Sequence, residues 1–106
     1  KIIAQLICAS CRKSDFVARY GGEEIVVILP NTTSRDAVSV AQEINNIVAK
    51  QTIKLLGIRI TVSIGVATYP DDGITLKSLL ERADKALYQA KKSGRNRVCK
   101  FDEARD

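Results

Sequence analysis

The sequence predicts an α/β (α+β) domain in which helices and short strands alternate, and three observations predict it. Apolar residues recur every three to four positions in three separate stretches, the period of a helix with one buried face. A Gly-Gly pair, Gly21-Gly22, lies between two β-rich runs, residues 16–18 and 25–29, which is the signal of a tight hairpin. A long β-branched run over residues 58–67 and an alternating one over residues 97–101 provide further strands.

Taken in order, Ile2, Ile3, Leu6 and Ile7 make the first helix, running from Lys1 to about Cys11. Arg12-Lys13-Ser14-Asp15 ends it with basic residues that suit the C-terminal dipole. The hairpin of residues 16–29 follows. With Gly21 and Gly22 as a two-residue loop, Tyr20 faces Glu23 and Arg19 faces Glu24, and the two glutamates leave on opposite sides. Ile25, Val27 and Leu29 on one face, with Val26 and Ile28 on the other, predict a strand buried on both sides.

Thr33 or Ser34 then caps a helix over residues 34–50. Its apolar side is Ala37, Val40, Ala41, Ile44, Ile47 and Val48; Gln42, Glu43, Asn45 and Asn46 take the solvent side. Residues 51–56 and 58–67 read as two strands around Gly57. Tyr69-Pro70-Asp71-Asp72-Gly73 is a turn. Thr75 caps the last helix, whose stripe runs from Leu76 to Ala90, and Gly94 stands at its C′ position. A strand over residues 97–101 closes the chain.

With 106 residues the chain holds one domain at most. A net charge of +5 suits an anionic partner, nucleotide or nucleic acid, or a plain soluble surface. Aromatic stacking positions are too few for a basic nucleic-acid module: Tyr20, Tyr69, Tyr88 and two Phe. No apolar run approaches the roughly 20 residues of a membrane span, and no membrane contact is expected of this segment. No signal peptide is visible, and Lys1-Ile2-Ile3 reads as the middle of an element. Three cysteines and no histidine argue against a disulfide framework and against zinc at Cys8-Ala9-Ser10-Cys11; packed thiols in a reducing cytosol are the better reading.

Two acids and a bare backbone at a hairpin tip allow phosphate to approach the glycines, with carboxylates for a hard cation. A tight turn with solvated charges is the plain alternative. Arg19-Tyr20-Gly21-Gly22-Glu23-Glu24-Ile25 resembles the signature of the GGDEF family of bacterial diguanylate cyclases, with Ile25 in the fifth, usually aromatic, place. Arg12-Lys13-Ser14-Asp15 is similar to the family's RxxD inhibitory motif at the usual distance. Residues 61–67, 82–91 and 93–96 resemble its strand block, last helix and following turn.

The resemblance implies a nucleotidyl-cyclase palm, an antiparallel sheet flanked by helices. It implies condensation of two GTP to cyclic di-GMP with pyrophosphate release, by a homodimer of such domains using Mg²⁺ (or Mn²⁺). On this reading Gly21 and Gly22 contact GTP, and Glu23 and Glu24 bind metal and activate the 3′-hydroxyl. Lys91 and Arg95 hold phosphate, although alone they suit a solvated helix end. Arg12 and Asp15 form the product-inhibition site, with Glu43 where some members carry a second arginine. The resemblance further implies that residues 1–106 are a partial domain lacking the family's opening strand and helices, and inactive alone. An upstream sensory domain and a cytoplasmic location, free or below a membrane anchor, are expected. The alternative is a non-catalytic module that binds cyclic di-GMP.

Overall fold

The computed structural model describes residues 2–19 and 24–102. In chain order the elements are α1 (Ile2–Ala9), β1 (Phe16–Arg19), β2 (Ile25–Ile28), α2 (Ser34–Leu56), β3 (Ile64–Val66), α3 (Leu76–Lys92) and β4 (Val98–Lys100). The mixed helix-and-sheet class is the one expected. Among the described residues the strands form two pairs. β1 and β2 are antiparallel, as a short hairpin requires; β3 and β4 are parallel, because α3 carries the chain back to the starting edge.

The core is centred on Ile7 of α1 with Ile44 and Val48 of α2. Val17, Ile25 and Val27 from the hairpin pack against them, as do Val62 just before β3 and Ile64 at its start. On the other side, α3 lays Ala86 and Ala90 inward, both buried. Gly65 lets the strand approach that helix closely: a Cβ there would overlap the Ala83 carbonyl oxygen and the Leu87 nitrogen.

Helix caps follow the sequence. The Thr33 hydroxyl accepts from the Asp36 N–H at the start of α2. Thr75 and Ser78 form a reciprocal capping box on α3, each hydroxyl accepting from the other residue's N–H. At the far end of α3, Gly94 at φ 129° lets the Arg95 N–H reach back to the Ala90 carbonyl, closing a Schellman-type terminus.

Several expectations are corrected. Residues 51–56 are not a strand: α2 continues through them to Leu56. Thr52, fully buried, donates its hydroxyl to the Val48 carbonyl at 2.7 Å and accepts from the Ile60 N–H at 2.9 Å. That hydroxyl ties the helix to the returning chain and removes the need for a strand. Gly57, read as a link between strands, is the left-handed helix cap (φ 74°), its N–H donating to the Ile53 carbonyl. The strand expected over 58–67 accordingly shortens to β3.

The hairpin register also differs from the expected one. Arg19 pairs with Ile25 rather than Glu24, and Phe16 with Ile28. An odd number of residues separates Arg19 from Ile25, which a two-residue loop cannot produce. The turn residues 20–23 lie outside the described residues. β2 is half-buried, with Ile28 exposed, because only β1 pairs with it among the described residues. Asn45, placed on the solvent side of α2, is buried at 7% exposure, at the bottom of a cleft between that helix and the segment leading into β4. Finally, Cys8 is an exposed free thiol rather than a packed one.

Candidate functional site

The clearest constellation among the described residues is built on the turn between α1 and β1. The Asp15 N–H donates to the Arg12 carbonyl at 3.0 Å, and the Arg12 N–H donates to Asp15 Oδ2 at 2.8 Å, so the turn is closed from both sides. The Arg12 guanidinium then lies along the same carboxylate, with Nη2 to Oδ1 at 3.1 Å and Nε to Oδ2 at 3.5 Å. Nη2 also reaches the Pro30 carbonyl at 3.2 Å and Thr32 Oγ1 at 2.9 Å.

This arrangement separates the roles of the two residues. The Arg12 side chain is 59% exposed, whereas the Asp15 side chain is 2% exposed. Asp15 faces inward and holds the arginine; Arg12 faces out and offers a fixed, planar cation. The backbone N–H of Arg12, above all, and then its guanidinium hold the Asp15 carboxyl below its ordinary value, against some desolvation. A planar fork held in this way suits phosphate or a guanine edge, which a lysine would meet only as a point charge.

Pro30 and Thr32 were missed in the sequence as partners of Arg12. The signal lay in the hairpin: continuing the observed register outward from Phe16 and Ile28 sets Arg12 opposite Thr32. A strand pair therefore carries the two loops at its open end into contact.

Of the other expected site residues, Glu24 is half-buried immediately before β2. Gly21, Gly22 and Glu23 lie outside the described residues. Lys91 is exposed in the last turn of α3, and Arg95 is exposed just beyond it at φ 61°. The Schellman terminus thus projects both cations from one helix end. Glu43 is exposed on α2, with no ion pair among the described residues. The described residues contain no group of three or more metal-ligating side chains. An adjacent glutamate pair fits a hard cation that takes one or two protein carboxylates and fills its shell with water and phosphate oxygens.

The family described as "Diguanylate cyclase, GGDEF domain" matches residues 1–97. The chain is 47% identical over 98 residues to diguanylate cyclase A of Treponema denticola, covering 91% of this chain and 26% of that protein. It is 46% identical over 96 residues to diguanylate cyclase DgcM of Escherichia coli, covering 91% of this chain and 23% of that protein. Among solved structures, the active GGEEF domain of a Vibrio cholerae diguanylate cyclase superimposes with a TM-score of 0.87. It is 29% identical, over 96% of this chain and 65% of that one. The GGDEF domain of DgcB from Caulobacter crescentus, solved in complex with c-di-GMP, gives 0.82 at 36% identity, over 93% of this chain and 60% of that one. The chain belongs to the GGDEF diguanylate cyclase domain family. It spans about a quarter of the length of these curated relatives.

Proposed function

We propose that this chain is part of a diguanylate cyclase domain that condenses two GTP into cyclic di-GMP and releases pyrophosphate. The observation that carries the reading is the unbroken Gly21-Gly22-Glu23-Glu24 sequence within a family match over residues 1–97. The glycines allow close backbone approach to the nucleotide. One of the two glutamates takes the proton from the 3′-hydroxyl of one GTP. That oxygen forms a bond to the α-phosphorus of the second GTP while the α–β anhydride bond breaks and pyrophosphate leaves. A second, reciprocal transfer closes the ring, so two domains must face each other. A bound Mg²⁺ or Mn²⁺ supplies charge neutralisation on the triphosphate and lowers the pKa of the hydroxyl. Glu23 and Glu24 would hold it, and Lys91 and Arg95 would bind phosphate oxygens from the end of α3.

Arg12, braced by Asp15, Pro30 and Thr32, is proposed as the product-inhibition contact. Residues 1–106 would be a partial domain and inactive alone, completed by upstream sequence that carries a sensory input, and the working form would be a cytoplasmic homodimer. The test is cyclic di-GMP production from GTP and Mg²⁺ by this chain and by one extended upstream. Activity of the extended chain, lost in Glu24→Gln, supports the reading. Two inactive chains that both bind cyclic di-GMP, with binding lost in Arg12→Ala, would establish the receptor alternative instead.

A further inference from the structure

A cleft of about 510 Å³ opens between α2 and the segment entering β4, and it contains none of the residues assigned above. Three cations line it: Lys50 from α2, Arg59 from the loop after that helix, and Arg97 beside β4. No carboxylate lines it, and none of the three forms an ion pair among the described residues. Arg97 is held in place by donating Nε to the Arg95 carbonyl at 3.0 Å.

The floor carries a second observation. Asn45 lines the cleft at 7% exposure, and its side-chain amide makes no hydrogen bond among the described residues. The Asn45 amide is not sealed from solvent, since the buried side-chain polar atom without a partner among the described residues is Thr68 Oγ1; it opens onto the cleft and is free to meet a ligand there. Gln42 and Asn46, one turn and one residue away, add further amides to the same wall. Convergent cations without a carboxylate raise the local potential for anions, and an amide that opens onto the cleft can bond a neutral polar group beside the charge.

We infer that this cleft is a binding site for a phosphorylated small molecule of nucleotide size. Its phosphates lie against Lys50, Arg59 and Arg97, and its neutral polar end bonds to Asn45 and Gln42. The inference does not depend on the cyclase reading. It places a second anion site on the face of α2, in addition to the Arg12 turn.

The experiment is an NMR titration of the isotope-labelled chain with ADP and, separately, with inorganic pyrophosphate at fixed ionic strength. ADP is expected to shift the Asn45 side-chain amide and the Arg59 and Arg97 signals saturably. The double variant Arg59→Gln/Arg97→Gln, both positions exposed, should weaken ADP binding by about tenfold or more. Asn45→Leu should weaken ADP while leaving pyrophosphate binding nearly unchanged. An Asn45 signal unmoved by millimolar ADP would overturn the inference. So would shifts confined to Arg12, Lys91 and Arg95, or a double variant that binds ADP as the parent does. Equal binding of ADP and pyrophosphate with a silent Asn45 would rule out the nucleotide-sized ligand.

Discussion

The hairpin half and the crossover half of this molecule solve the same problem with different means. β1 and β2 pair locally, expose Phe16 and Ile28, and meet the core through Val17, Ile25 and Val27. β3 and β4 pair only by way of α3, and they are held by the contact of Gly65 with that helix and by its capping box, while upstream the buried Thr52 hydroxyl ties α2 to Ile60. The lesson is a division of labour. The half that carries the signature turn meets the core through three hairpin side chains, whereas the half that carries the phosphate-binding candidates is held by local contacts along α3 and itself exposes Tyr69, Ile74, Leu76 and Tyr88.

The largest effect should come from Gly65→Ala. The new methyl would overlap backbone atoms of α3 that have no rotamer to change, so a loss of about 3 kcal/mol is expected in chemical unfolding. A loss under about 1 kcal/mol would mean that β3 and α3 are free to separate, and the contrast between the halves would dissolve. Next comes Thr52→Val, which keeps the shape of a fully buried side chain but leaves the half-buried Ile60 N–H without its acceptor, at a cost of about 1–3 kcal/mol. Thr75→Ala removes one arm of the capping box and should cost about 1 kcal/mol, read from the same unfolding curves.

In the hairpin half the effects should be smaller. Phe16→Ala removes a side chain that is 64% exposed and is expected to change stability by no more than about 0.5 kcal/mol. A larger loss would show that this face is covered in the folded protein. Asp15 sharpens the comparison through pH. Its carboxyl is held below the ordinary value of 3.8 by the Arg12 N–H and guanidinium, so its contribution is complete above that value. It is lost as the pH falls through the lower folded value. Acid unfolding of the parent and Asp15→Asn should therefore differ at neutral pH and converge in strong acid. A constant difference at all pH values would detach Asp15 from Arg12.

Much of this was legible in the sequence, for reasons that can be named. The stripes of α1 and α3 gave their faces, and Thr33, Thr75 and Gly94 marked helix ends through chemistry that is local to a few residues. Residues 51–56 misled because Ile53, Leu55 and Leu56 carry strand-like apolarity. They are exposed at the end of a helix, where neither period governs them. The stronger clue was Gly57, a left-handed cap that also looks like a turn between strands. Asn45 could not be placed by periodicity, because α2 is covered on two sides and an amphipathic reading allows one. Arg12 and Asp15 were readable as a motif. Their division into an exposed grip and a buried brace depends on Pro30 and Thr32, which only the hairpin register brings near.

The parallel pairing of β3 with β4 has a consequence in time. A hairpin such as β1–β2 closes a short loop and can form in about 1–10 μs. The Ile64–Val98 pairing must wait until the whole of α3 has wound and docked, since the chain between them is that helix and its two turns. Loop-closure entropy is met there before any ladder bond rewards it. The folding barrier therefore belongs to the crossover, and substitutions at Gly65 should slow refolding, whereas those at Phe16 should leave its rate unchanged.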